Sequence, residues 1–362
     1  MLKKINHISI LFLLIFSVSV SAQLRRTTEN LGLNFHYQQF DVNGDKTDYL
    51  MFSLPLQAVF SPNRYTHLSL RFDQGYQSFD ENNLYGIGDL QVRLQHTLSK
   101  DLAFLRAESW TFFAEAHAPT GKKELSANEL TVVSVSRIPY VASPLTYAKA
   151  GFSAKGGAVF STQLNETANL AVGGWYFYRG EYTPLKGGNK FDPSDEIAIT
   201  AGFQWGTLQS GLFTDLRYSF YNDEKVDGRK IATPGNAILA SAQGFMGRSE
   251  LTVLFFSRKE TEFEIGSDFK SPSYLSVKLG YRTDADARWI PYVGYLHNGE
   301  GSRIDAGNLG LLGIYTRNIQ VGGFPINPYL ELRYGSIGDD AKSFGVQLGT
   351  QFTFQLYPGQ LN

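Results

Sequence analysis

The sequence predicts an all-β protein, a transmembrane antiparallel β-barrel of about sixteen strands, with fourteen as the fallback count. Three observations carry that expectation. Apolar and polar residues alternate with a period of two through most of the chain, the spacing of strands with unlike faces. Aromatic residues reach 14%, with 27 Phe and 20 Tyr, although mean hydropathy is only −0.20. A barrel strand reconciles the two figures, since half of it meets lipid, half meets water, and aromatic girdles sit at both interfaces. The third observation is the last strand, where Phe344, Val346, Leu348, Thr350, Phe352, Phe354 and Leu356 share one register. Gly345, Gln347, Gly349, Gln351, Thr353 and Gln355 share the other, so one face is apolar and the other carries amides and glycines.

The elements follow in order. Leu31, Leu33, Phe35 and Tyr37 alternate with Gly32, Asn34, His36 and Gln38 up to the turn at Asn43-Gly44-Asp45. Phe52 to Phe60 and Leu68 to Phe72 give strands two and three, joined by a tight turn at Ser61-Pro62-Asn63-Arg64. A loop around Asn82-Asn83 leads to Leu90, Val92, Leu94 and Leu98, and Ser99-Lys100-Asp101 turns into a fifth strand running to Pro119. Ala150 to Lys155, Leu170 to Tyr178, Ile197 to Phe203 and Leu212 to Phe220 continue the alternation. Ala237 to Phe245 is a weaker candidate. Leu251-Val253-Phe255, Leu275 to Tyr281, Ile290-Tyr292, Leu309-Leu311 and Leu330-Leu332-Tyr334 complete the set. Short links at Ser99-Lys100, Gln209-Ser210 and Asp284-Ala285-Asp286 alternate with longer polar ones, as in bacterial barrels.

The first 22 residues read as a secretory signal. Lys3 and Lys4 are its basic region, Ile8 to Val18 its apolar stretch and Val20-Ser21-Ala22 its cleavage site. Residues 23–362 then form one barrel domain, because no linker or composition break divides them. The expected location is the outer membrane of a Gram-negative cell, with its lipid as partner. The chain has no Cys, which excludes an acylated lipoprotein anchor, disulfides and thiolate metal sites. A net charge of −1 gives no basic excess to attract nucleic acid.

Two resemblances bear on the reading. Gln347-x-Gly349-x-x-Phe352-x-Phe354 resembles the C-terminal signal by which outer-membrane barrels are passed to the barrel assembly machinery. Gly86-Ile87-Gly88-Asp89 and Pro119-Thr120-Gly121 together resemble the outer-membrane family of the meta-pathway of phenol degradation. That resemblance implies a barrel carrying small molecules, and it covers about Leu84 to Phe203. Its catabolic label does not transfer with two short motifs. Read physically, Gly86 and Gly88 let the backbone turn tightly, and Asp89 is placed to satisfy amides or meet a lumen Arg.

The longest connection, Pro119 to Thr146, carries Lys122, Lys123, Glu124, Glu129 and Arg137. It either folds into the lumen as a constriction, or its run Leu130 to Val135 forms a short hairpin above the membrane. Inner registers collect Arg93, Lys149, Lys155, Arg217, Lys278, Arg282 and Arg333, against fewer acids. The register neighbours Arg71 and Asp73, Asp215 and Arg217, and Glu331 and Arg333 are expected to pair. Arg93, Lys149, Lys155, Lys278 and Arg282 remain as a basic excess that would favour anions. Gly32, Gly151, Gly202, Gly280, Gly345 and Gly349 on inner registers point to an open lumen.

The expected function is a porin-like channel for small hydrophilic or aromatic solutes. A closed barrel serving structure, adhesion or docking is the alternative, and a lipid-modifying enzyme the third. No cofactor or metal set is recognisable. His297-Asn298-Gly299-Glu300-Gly301-Ser302 does not match the compact Asn-His-x-Ser-Asn-Gly pattern of outer-membrane phospholipases, so no catalytic residue is assigned.

Overall fold

The computed structural model describes residues 27–102, 105–122, 124–136, 151–207, 210–271, 273–283, 289–301, 306–316, 319–321, 324–338 and 341–356. The signal segment, Lys123, Arg137 and Lys149 lie outside these residues.

The chain opens with β1 (Thr27–Val42), β2 (Asp45–Asn63), β3 (Thr66–Phe79), β4 (Asn82–Ile87), β5 (Leu90–Leu102) and β6 (Leu105–Ala118). Helix α1 (Ala127–Ser136) precedes β7 (Ser153–Asn165), β8 (Ala168–Arg179), β9 (Phe191–Asp192), β10 (Glu196–Gly206) and β11 (Ser210–Tyr221). Then come β12 (Glu224–Val226), β13 (Arg229–Thr233), β14 (Ala237–Met246), β15 (Ser249–Arg258), β16 (Glu262–Phe263) and β17 (Tyr274–Tyr281). The chain ends with β18 (Trp289–Asn298), β19 (Gly307–Thr316), β20 (Ile319–Val321), β21 (Phe324–Ile337) and β22 (Ala341–Leu356).

Each wall strand pairs antiparallel with the next, and β22 returns to pair with β1 from Thr27↔Leu356 to Val42↔Ala341. The sheet is therefore a closed barrel. Its eighteen segments make sixteen wall strands. β4 and β5 both pair with β3 and are one strand interrupted at Gly88-Asp89, and β19 and β20 both pair with β21. The expected count of sixteen holds, including the first strand and the weak Ala237 strand. Strand four, however, begins at Asn82, because the chain turns at Asp80-Glu81 rather than looping around Asn82-Asn83. The Asn43-Gly44 turn has positive φ at both residues, 56° and 93°, the conformation that matches hairpin twist.

Exposure alternates as the sequence pattern requires. Ile197 and Ile199 are 55% and 53% exposed on the outside of β10, while Glu196 and Ala198 between them are buried. Two strands reverse the expected register. Ile290 and Tyr292 of β18 and Leu309 and Leu311 of β19 are buried on the inside, and Trp289, Val293, Tyr295 and Leu312 face outwards. Both strands are apolar on both faces, so alternation alone does not orient them. Leu296, Leu309 and Leu311 form a small apolar cluster inside the wall, with Tyr274 and Ile337 against it.

One rim carries α1 and the long connections. Three of those loops contribute β9, β12, β13 and β16 to a separate four-stranded sheet. Ion pairs Lys230–Asp223 (3.2 Å) and Lys230–Glu264 (3.4 Å) lace it together.

The outward face must reject charge in hydrocarbon. Leu279→Arg, at a 52% exposed outward position, should destabilise the barrel by about 2–4 kcal/mol. Ser241→Arg, which points inwards beside Asp215, should leave the unfolding midpoint in urea unchanged. Deleting Phe352 to Leu356 removes a third of the closing register. It should abolish the fast-migrating unheated band on a detergent gel.

Candidate functional site

The lumen wall is the site, and two sequence motifs meet at its looped rim. The break at Gly88-Asp89 lies beside the end of β6, where Pro119-Thr120-Gly121 leaves the wall. The Gly121 amide donates to Asp89 Oδ1 at 3.0 Å, and the Leu90 amide donates to Thr120 Oγ1 at 2.9 Å. The Thr120 hydroxyl in turn reaches the Gly88 carbonyl at 3.3 Å. Asp89 is only 7% exposed. Its assigned role of satisfying amides is therefore the one observed.

From that junction the chain turns inwards. Leu125, Val132 and Val133 of the α1 segment are buried against Tyr49, Met51 and Leu84 on the inner face of β2 and β4. The inward fold is observed, and the hairpin reading of Leu130 to Val135 is overturned. Ser126 caps the helix: its hydroxyl accepts the Glu129 amide at 3.3 Å while Glu129 Oε2 accepts the Ser126 amide at 2.9 Å. Lys122 pairs with Glu129, so two of the loop's charges neutralise each other, and Glu124 is exposed. The backbone of Leu125 also bridges to the loop after β8, through Pro184 and Lys186.

Below the helix, cations and rings alternate across the inner wall. Arg93, Glu115 and Lys155 stand directly opposite one another on β5, β6 and β7. Arg93 lies 4.9 Å and Lys155 5.7 Å from the centre of the Phe113 ring. Lys155 also sits 4.2 Å from the Trp175 ring, with Arg217 at 5.9 Å from the same ring. Nearer the looped rim, Tyr221 is shared by Arg258 (4.6 Å) and Arg179 (5.8 Å). Glu115 Oε1 accepts from His117 Nε2 at 2.6 Å. Phe113, Trp175, Tyr221, Arg179 and Arg258 were not singled out from sequence. The signal was present, because Trp175, Phe177 and Arg179 share the register opposite the outward Tyr176 and Tyr178.

The opposite wall has a different arrangement. Glu331, nearly fully buried, holds Lys278 at 2.5 Å, Arg333 at 2.7 Å and the Tyr292 hydroxyl at 2.6 Å. Arg333 continues to Gln347 Oε1 at 2.6 Å, Gln347 to the Tyr329 hydroxyl, and Tyr329 to Asn34 on β1. The chain of bonds thus runs from β17 across the β22–β1 junction. Lys278, expected to be free, is neutralised here. Asp215 accepts from Thr200 at 3.2 Å while Arg217 rests on Trp175, and Arg71–Asp73 pair at 3.3 Å as expected. Arg282 is buried near the other rim with its guanidinium 4.8 Å from the Phe245 ring. A cavity of about 490 Å³ opens onto this wall, lined by Lys278, Tyr292, Tyr329, Glu331 and Gln347 among others.

Except at Gly202, where an added methyl would meet only ordinary contacts from 3.5 Å, the inner glycines named from sequence do not mark open space. A methyl group on Gly32 would lie 2.6 Å from Pro55, one on Gly280 3.0 Å from Ile290, and one on Gly349 2.7 Å from Asn34. On Gly345 it would collide with Gln38. These glycines make room for side chains lying flat against the wall.

No family model matches the chain, and no curated protein matches it. Solved structures do. OccK5 (OpdH) of Pseudomonas aeruginosa aligns with a TM-score of 0.50 at 10% identity, covering 93% of this chain and 100% of that one. The fold is that of outer-membrane channel barrels. OccK9 (OpdG) of the same species aligns at 0.49 and 9% identity, covering 92% of this chain and 100% of that one. The COG4313 outer membrane channel from Pseudomonas putida F1 gives 0.42 at 10%, over 92% of this chain and 96% of that one.

Two outcomes follow from these contacts. Glu331→Ala leaves the buried Arg333, and the part-exposed Lys278, without their shared acid and should cost more than about 1 kcal/mol in urea unfolding. Lys278→Met, which leaves the Arg333 pair intact, should cost less. At the rim, the Thr233 hydroxyl and then Lys230 hold the Asp223 carboxyl below its ordinary range. A depressed carboxylate stabilises above its unfolded pKa and loses that contribution as pH falls through the folded value. Protease cleavage of the four-stranded loop sheet should therefore increase on acidification below the usual carboxylate range, and not between pH 6 and 8.

Proposed function

We propose that this chain is a diffusion channel of the outer membrane of a Gram-negative cell, leaning towards anions such as small organic acids. The apolar outer face and the channel-barrel fold support the location. The looped rim, with its longer connections, then faces outwards from the cell. The observation that carries the anion preference is the row Arg93–Phe113–Lys155–Trp175–Arg217. Glu115, opposite both Arg93 and Lys155, offsets one of the row's three cations; a cation resting on a ring otherwise keeps its charge and its N–H donors for a passing solute. A low-dielectric wall focuses that field into the lumen.

Gln347, Gly349, Phe352 and Phe354 would present the assembly signal, and no enzymatic role is proposed. Kinship with the meta-pathway family rests on the two motifs that meet at Asp89 and Thr120, without its catabolic role. The packed inner residues Ile290, Leu296, Leu309 and Leu311, together with α1, favour the second reading, a barrel with no through-passage.

Planar-bilayer recording separates the two. Unit conductance with a reversal potential set by anions in a salt gradient is expected. Arg93→Glu, Lys155→Glu and Arg217→Glu combined should move that potential towards cations. A cation-selective wild type would refute the anion preference, and a wild type that never conducts would leave the closed barrel.

A further inference from the structure

The two motifs at the looped rim do more than close a turn. Gly88-Asp89 interrupts a wall strand between two segments that pair with the same neighbour, β3. Above it, β4 rises past the end of β6, since Leu90 already pairs with Ala118, the last residue of β6. Among the described residues, β4 pairs with β3 alone and carries no strand on its other edge where the chain leaves β6. Thr120 and Gly121 bind at this step, through the Leu90 amide, the Gly88 carbonyl and the Asp89 carboxylate. Six residues later α1 begins, with Val132 and Val133 seated on Leu84 of β4 and on Tyr49 and Met51 of β2. The attachment fixes where the segment leaves the wall, and the apolar seat and the Leu125 backbone bonds to Pro184 and Lys186 hold it beyond that point.

We propose that Asp89 and Thr120 are positioning residues, a latch that holds α1 inside the mouth and so sets the width of the passage. The proposal rests on the channel reading. Asp89 acts through the Gly121 amide and Thr120 through the Leu90 amide, both of which are backbone groups. What these two bonds require is an acceptor oxygen at each position. Asp89→Asn and Thr120→Ser keep an oxygen in place, whereas Asp89→Ala and Thr120→Val remove it.

The experiment measures unit conductance and the size of neutral polyethylene glycols excluded from the pore, in variants whose unheated gel band shows an assembled barrel. Asp89→Ala and Thr120→Val should each raise conductance and admit polymers that the wild type excludes. Asp89→Asn and Thr120→Ser should match the wild type. Val132→Asp, which unseats α1 while leaving the latch intact, should widen the pore in the same way. If one alanine or valine variant fails to assemble, the other decides alone. A wild type that does not conduct, beside latch variants that do, supports the latch while refuting the open channel. Latch variants with wild-type conductance and exclusion overturn the proposal whether or not Val132→Asp widens the pore, as does conduction by none of the proteins.

Discussion

Everything in this molecule depends on one constraint: in hydrocarbon, no backbone N–H or C=O can be left without a partner. The antiparallel junction of β1 with β22 meets it by closing the wall on itself. Fixing that register also fixes which side chains meet inside. Gln38 falls opposite Gly345 and Asn34 opposite Gly349, and those glycines leave room for the amides. The Gln38 amide then reaches Ser343, while Asn34 accepts from Tyr329. The terminal strands are consequently joined twice, by backbone pairing in the wall and by side chains within the lumen.

The lumen treats its cations in two ways, and local chemistry decides which. On β17, β18 and β21 one carboxylate serves two cations and a phenol, so that cluster is bonded together and keeps one net positive charge. On β5 to β11 Arg93, Lys155 and Arg217 lean on rings, while Arg179 lies near Tyr221 and also pairs with Glu196 at 2.9 Å. The first arrangement ties strands together. The second leaves donors available to a solute.

Much of this could be read from the chain. Strand number, the alternation of β1 to β3 and the inward position of Arg93, Lys155 and Arg217 follow from period two alone. Pairing was less legible: Lys278 has no acid near it in sequence, and Glu331 lies 53 residues away. Register failed where both faces are apolar, at Ile290 and Leu309, because alternation carries no information there. Helix α1 was obscured by Thr131, Val132, Val133 and Val135, whose β-branched side chains suit strands. Its signal was the capping box, Ser126 with Glu129 three residues on. The meeting of the Gly88-Asp89 and Thr120-Gly121 motifs spans 32 residues and needed the fold to bring them together.

That same helix carries a consequence for the order in which the chain takes shape. A segment of ten residues, four of them β-branched in succession or nearly so, is not a stable helix on its own in water. Its apolar side needs Tyr49, Met51 and Leu84 already in position, and those come from strands laid down some forty to eighty residues earlier. The wall must therefore exist before this helix can. The element acquires its form only from the finished surface it rests on.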